Sequence, residues 1–233
     1  MRVVRLTVVV AAAALAACGG QVEPSTRRPD AAAPLLVTLA AAGAPGAREL
    51  RTGQLPEARS RLEAILAADP DRVDALNNLA VSYYLEARGD AARQLLEEAV
   101  NRGGPREQQA ALVNLAELYA VDGYLTAAQA YLGSARAVDP SRPAPSYALA
   151  LLADARGDRP ASLAAVRVAM RADEGGAARR AFAFAYPEER IHLEALVAEA
   201  SGDATLAEAR WRELRAGRFP VLAQAAQRHL EEQ

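Results

Sequence analysis

Reactive side chains are scarce in this sequence. Cys18 is the one thiol among 233 residues, and His192 and His229 are the two imidazoles. A thiol serves as nucleophile, metal ligand or attachment point, and an imidazole as base or metal ligand. Neither histidine sits in an HExxH pattern, and no second cysteine is present to complete a disulfide or a thiolate metal site. Gly103-Gly104 and Gly175-Gly176 do not continue into GxxxxGK[ST], so both read as helix-end breaks and not as a phosphate loop. The acidic pairs Glu97-Glu98 and Glu188-Glu189 have the ordinary form of charged helix surface. His192 falls in a late helical segment and His229 near the C-terminus, where surface or packing roles are expected. The expectation is a chain with no catalytic group, no metal, no cofactor and no small-molecule substrate.

The composition points to closely packed helices. Residues are 52% hydrophobic but only 5% aromatic, with alanine dominant. Alanine is the best helix former and lets backbones approach one another. All 27 basic residues are arginine, a bias that carries no function by itself, and the net charge is −2. Arg27-Arg28 and Arg179-Arg180 are short pairs and not a polybasic tract, so nucleic acid is not an expected partner.

The N-terminus has the order of an export signal: Arg2 and Arg5, an apolar run over 6–15, then Leu15-Ala16-Ala17-Cys18-Gly19-Gly20. The run is too short to cross a bilayer as a helix, which takes roughly 20 apolar residues. Its end resembles the lipobox of bacterial lipoproteins. That resemblance implies a signal peptide over 1–17, diacylglycerol on the Cys18 sulfur and an acyl chain on its freed amine, an anchor made stable by having more than one chain. By the same resemblance, Gly19 after the cysteine implies the outer membrane, facing the periplasm, with another envelope membrane as the alternative. Residues 18–33, with Pro24, Ser25, Pro29 and Asp30, read as lipidated cysteine and tether.

Downstream a frame repeats. Leu112, Asn114, Leu115, Ala116 and Tyr119 are followed by Gly123-Tyr124, Ala127-Ala128, Leu132, Ala135 and Asp139-Pro140. Leu76, Leu79, Ala80, Tyr83, Ala92, Leu96 and Ala99 precede their counterparts by 36 residues, and Gly53, Ala58, Leu62 and Asp69-Pro70 come 34 earlier still. Leu149, Ala150, Gly157, Val166 and Ala169 follow 34 later, and Ile191, Ala195, Ala198, Gly202, Ala207 and Trp211 a further 45 on. Unit two carries its Gly89-Asp90 turn two residues late, and unit one lacks a clear first helix because Ala44-Pro45-Gly46 interrupts it.

This frame resembles the tetratricopeptide consensus, in which glycine turns the chain between two antiparallel helices, small residues let them cross and proline ends the second. The fold expected is all-α: a tetratricopeptide-type α-solenoid over 34–233. It has about five helix-turn-helix units, near 39–70, 73–104, 109–140, 143–174 and 188–217, and a capping helix over 219–232. The extra residues 175–187 hold Phe182, Phe184 and Tyr186, either as an apolar plug between units four and five or as an exposed contact loop.

Resemblance to the repeat family also implies a concave face lined by the first helix of each unit. The corresponding positions are Asn77, Val81, Tyr84, Leu85, Val113, Glu117, Val121, Tyr147, Leu151, Asp154, His192, Leu196 and Glu199. They either line a groove or pack between neighbouring helices. As a groove they suit an apolar or amphipathic protein segment, with Tyr84, Leu85, Tyr147 and Leu151 as anchors. A lipid-anchored array of this kind resembles the type IV pilus pilotins and related assembly lipoproteins. The resemblance implies a protein-binding scaffold that helps a secretin-type pilus or secretion complex reach the outer membrane and assemble. The alternatives are an adaptor for peptidoglycan-modifying enzymes and a part of a motility or other secretion machine.

Overall fold

The computed structural model describes residues 32–41 and 43–232. Cys18, the signal peptide and the tether as far as residue 31 lie outside the described residues. The expected end of the tether at residue 33 is corrected, because Ala33 is buried and its N–H donates to Ala120 O at 3.0 Å. Twelve α-helices follow one another: α1 (Ala47–Arg51), α2 (Leu55–Ala68), α3 (Val73–Leu85), α4 (Gly89–Arg102), α5 (Pro105–Val121), α6 (Leu125–Val138), α7 (Ala144–Ala155), α8 (Arg159–Ala172), α9 (Ala177–Ala181), α10 (Pro187–Ser201), α11 (Ala204–Arg215) and α12 (Pro220–Glu231). The pairs α3–α4, α5–α6, α7–α8 and α10–α11 are antiparallel hairpins, and α12 packs on α11 and α7. The chain is an all-α, tetratricopeptide-type solenoid.

The repeat positions do the mechanical work expected of them. The small first-helix residues Ala80, Ala116, Ala150 and Ala195 and the small second-helix residues Ala58, Ala92, Ala128 and Ala207 are all buried at the crossings. Leu62, Leu96, Leu132, Val166 and Trp211 recur one unit apart and fill the space between hairpins. Proline opens α5, α10 and α12 at a position where its missing N–H costs nothing. Asp158 and Asp203 cap α8 and α11, accepting from Ala161 N and Leu206 N at 3.0 Å.

The interhelix turns also explain unit two. Gly53, Gly123, Gly157 and Gly202 all hold positive φ, between 75° and 85°, and the fifth turn uses Ala87 at φ 61°. Ala87 lies 34 residues after Gly53 and 36 before Gly123. The left-handed residue is therefore in register, and Gly89 is only the first residue of α4. A left-handed alanine costs roughly 1–2 kcal/mol. Ala87→Gly is expected to raise stability by about 0.5–1 kcal/mol, after the entropy of the added glycine is subtracted. Urea denaturation with an unchanged slope is the measurement that checks it.

Two regions depart from a plain hairpin stack. The first unit has no full first helix, since α1 is five residues long and residues 33–40 run without helix and almost wholly buried. The start of the array expected over 34–233 is instead a strap laid across it, and unit one, expected from about residue 39, has its first helix only at Ala47. In the 175–187 insert, Phe182 and Ala183 are buried and Phe184 and Tyr186 half-buried. Phe182 meets the Tyr147 ring edge-on at 5.9 Å. The insert behaves as a plug.

Candidate peptide-binding groove

One face of helix α5 is aimed at the strap. The main-chain N–H groups of Ala33, Leu35 and Thr38 donate to Ala120 O, a Glu117 carboxylate oxygen and Asn114 Oδ1. Asn114 Nδ2 returns a bond to Thr38 O at 2.9 Å, and Arg106 Nε donates to Ala40 O at 2.9 Å. These α5 residues are separated by three to eight positions, while their strap partners step back along the chain. From Ala40 to Ala33 an extended strap spans about 23 Å at roughly 3.3 Å per residue, and from Arg106 to Ala120 the helix rises about 21 Å at roughly 1.5 Å per residue. The two periods match, so one helix face can meet a strand antiparallel to it along its full length.

Helix α3 supplies the second wall. Asn77 Nδ2 donates to Thr38 O and Asn78 Oδ1 accepts from Ala40 N at 3.0 Å, while Asn78 Nδ2 holds Pro45 O at 2.9 Å. Asn77 Oδ1 accepts from Asn114 at 3.0 Å, tying the two walls together. The insert gives the far edge: Val37 and Ala183 form an antiparallel bridge with N–H to O distances of 3.3 and 3.2 Å. Leu35 and Leu36 enter the C-terminal core and Val37 and Leu39 the N-terminal core. The strap therefore joins the two.

A buried acid pair sits under the strap. Burial pushes the Glu117 carboxyl up, although it accepts hydrogen bonds from Leu35 N–H, the Tyr84 hydroxyl and Glu189. Burial, then the charge on Glu117, pushes Glu189 well above the usual carboxylate range. Two carboxyls in contact without a neighbouring cation share one proton, because both cannot ionise away from water. Glu189 Oε1 receives no hydrogen bond, and its Oε2 accepts from Ala185 N at 2.9 Å. A proton on Oε1, shared with Glu117, satisfies both and fastens the insert to the strap.

The thirteen projected positions are all buried or half-buried. Asn77 and Glu117 hold the strap, Val81 and Tyr84 lie in the core beneath it, Val113 is buried, and Leu85 and Val121 are half-buried. Tyr147 and Leu151 are fully buried, with Tyr147 donating to Asp173 Oδ2 at 3.2 Å. As buried groups, Tyr84 and Tyr147 carry the fold, so truncating them damages the core before it tests any partner. Asn78, Arg106 and Asn114 are the polar groove residues absent from the projected set, and the two asparagines occupy equivalent places. They stand 36 residues apart, the local repeat period, and both are buried.

Leu196 is buried in the C-terminal core, and the remaining positions, Asp154, His192 and Glu199, belong to a separate knot closed by α12. Asp154 Oδ2 lies 2.7 Å from His192 Nε2, and its Oδ1 lies 2.6 Å from His229 Nε2. His229 Nδ1 is 2.7 Å from Glu199 Oε2, which also accepts from Trp211 Nε1 at 3.0 Å. Trp211 stacks on His229 at 3.9 Å, and Arg159 holds the other Glu199 oxygen at 2.7 Å. Burial pushes the Asp154 carboxyl up, but bonds from both histidines outweigh it and hold the group well below the usual range. Burial pushes His229 down, and Asp154 and Glu199 more than reverse that, so its pKa is raised. Both histidines and Asp154 are about 0–2% exposed, which leaves no room for a substrate. Among the described residues no group of three His, Cys, Asp or Glu could hold a metal ion.

The signs of these shifts set a pH window. Depressed Asp154 contributes stability that is complete above about pH 4 and lost as pH falls through its folded value. Raised His229 contributes stability that is complete below about pH 6.5 and lost as pH rises through its folded value. The melting temperature is expected to decline on the alkaline side, and His229→Gln to lower the maximum and flatten that decline, as read by thermal denaturation from pH 5 to 9.

Fold and groove define a tetratricopeptide array, an architecture for protein–protein interaction. A profile of the tetratricopeptide repeat matches residues 49–116, which takes in α2 to α4 and most of α5. Among solved structures the chain is similar to one titled "Crystal structure of MamA", with 17% identity, 80% of this chain and 96% of that chain covered, and a TM-score of 0.45. No curated protein matches the sequence.

Proposed function

We propose that this chain is a lipid-anchored protein-binding scaffold of the bacterial envelope. In this reading it assists assembly or outer-membrane localisation of a secretin-type pilus or secretion complex. The carrying observation is the groove itself: three asparagines and a glutamate on α3 and α5 hold an eight-residue segment by its backbone at Leu35, Thr38 and Ala40. A surface that reads N–H and C=O groups suits a protein segment and offers nothing to a reacting small molecule. The lipobox-like Leu15-Ala16-Ala17-Cys18 supports the anchor. Among the described residues no helix is long and apolar enough to cross a membrane, so attachment falls to Cys18 in this reading.

The test has two arms in the source bacterium. Cys18→Ser is expected to abolish incorporation of labelled palmitate and release the protein from the membrane fraction. Deletion of the gene is expected to leave a secretin monomeric or mislocalised, and cross-linking in the envelope to join the two proteins. Secretin multimers at normal abundance, with peptidoglycan hydrolases or synthases as the cross-linked species, would replace this reading with the adaptor one.

A further inference from the structure

We propose that residues 33–40 are a resident stand-in for the ligand, and that a partner docks by inserting its own extended, uncharged apolar segment in their place. The inference rests on the reading of the array as a protein-binding scaffold and says how its groove is filled and freed. The groove does not depend on the strap's sequence for its polar contacts. Asn77, Asn78, Asn114, Glu117 and Arg106 all bind strap main chain, and the one strap side chain that joins them is the Thr38 hydroxyl, which donates to Ala110 O at 3.3 Å and to Asn114 Oδ1 at 3.4 Å. Any chain of similar bulk presents the same donors and acceptors at the same 3.3 Å rise.

The strap is also built to leave. It joins the array through Gly43-Ala44-Pro45-Gly46, and Gly46 adopts φ +72° where an added Cβ would meet Leu62 at 2.9 Å. No helix has to unwind for it to swing out, because the strap contributes no residue to one. One cavity opens against the strap and a second against the insert that bridges to it. The first, of about 380 Å³, is lined by Thr38, Leu39, Arg106, Val113 and Phe182, and the second, of about 560 Å³, by Leu50, Leu85, Ala183, Phe184 and Tyr186. An incoming segment can make its first contacts there while the strap is still seated.

The strap itself states what the groove accepts. Residues 32–47 contain no charged side chain, and the side chains of residues 33–40 are buried. A charged segment would place an ion in that interior against the shared proton of Glu117 and Glu189, at a large desolvation cost. The fitting partner is a run of about eight residues, rich in alanine, leucine, valine or threonine, able to lie as a strand beside Ala183. Because the strap fills the groove most of the time, the affinity measured for that partner is reduced by the fraction of chains that are open.

The experiment uses the full mature chain carrying Cys18→Ser, with Val37→Cys and Ala183→Cys added. These two residues form a bridge whose Cα atoms in such pairs stand about 5.5 Å apart, within disulfide reach. The probe is a fluorescent peptide of the strap sequence, residues 32–41, with a charged solubilising tail, followed by polarisation. The reduced chain is expected to bind it at least tenfold more tightly than the oxidised chain. Thr38→Pro, which removes the N–H that Asn114 holds, is expected to bind it more tightly still. Equal binding by all three forms overturns the proposal. So does no binding by the reduced and Thr38→Pro chains while circular dichroism shows their helices intact, or dimers that exchange straps and take no peptide. Envelope cross-linking separates the two readings: a secretin captured equally by the locked chain removes the displacement step and keeps the scaffold. Peptide binding without any envelope partner does the reverse.

Discussion

Asp154→Ala is expected to lower the stability of the C-terminal half by about 3–5 kcal/mol, the range for removing one partner of a buried charge pair. The substitution takes the acceptor from two imidazoles at once, 2.7 Å from His192 and 2.6 Å from His229, in a place with almost no access to water. His229 keeps Glu199 and the Trp211 ring, but its second nitrogen is left buried and unmatched. The loss should appear first in α12, whose tie to α7 is this knot together with the bond from Arg228 to the Asp154 main-chain oxygen at 3.1 Å. Hydrogen exchange is expected to show α12 amides opening well before those of α3 and α4. Asp154→Asn keeps the shape and one acceptor oxygen, and should lose less. Because the knot shares no residue with the strap, peptide binding in the groove should be unchanged at temperatures where α12 stays folded. A loss below about 1 kcal/mol for Asp154→Ala would mean that the knot behaves as an exposed pair.

The hairpins were legible because each rests on residues whose job is local. Ala116 and Ala128 permit a crossing, Gly123 permits a turn and Asp139-Pro140 stops a helix, and all of these repeat at fixed spacing. The insert was legible for a similar reason, since Phe182, Phe184 and Tyr186 need cover that only neighbouring units supply. The strap was not. Pro34-Leu35-Leu36-Val37-Thr38-Leu39 is a short apolar run, and periodicity alone does not separate strand from helix at that length. Its role is fixed by bonds reaching 66 to 87 residues along the chain to α5, which no local pattern encodes. The readable sign was on the other side of the contact: Asn78 and Asn114 recur at the repeat spacing among core leucines and alanines, where a buried amide demands partners. The knot was hidden in the same way. His192 and His229 are 37 residues apart, and it is Asp154, on a third helix, that brings them together.

Glu117→Ala is the change with the widest consequence for the groove. It strips the acceptor from Leu35 N–H and from the Tyr84 hydroxyl and leaves Glu189 facing a cavity. Each orphaned buried group costs roughly 1–3 kcal/mol, and because the groups share one site the sum is not additive. A total near 3 kcal/mol is therefore expected by order of magnitude. The strap should loosen more than the helices do, so limited proteolysis is expected to cut between residues 33 and 46 while α5 survives. The acid pair also makes the strap respond to pH. Both carboxyls are raised in the folded protein, so above about pH 4.3 the folded state holds more protons than the unfolded one and stability falls as pH rises through the folded values. Tyr84 and Tyr186, the other titratable groups beside the pair, are themselves raised and offer it no positive charge. Glu189→Gln supplies a permanent N–H donor where the shared proton sits and an oxygen for Ala185 N–H. It is expected to hold strap protection constant from pH 5 to 9, where the parent chain loses it on the alkaline side. An identical decline in both chains would show that the strap is held without that proton.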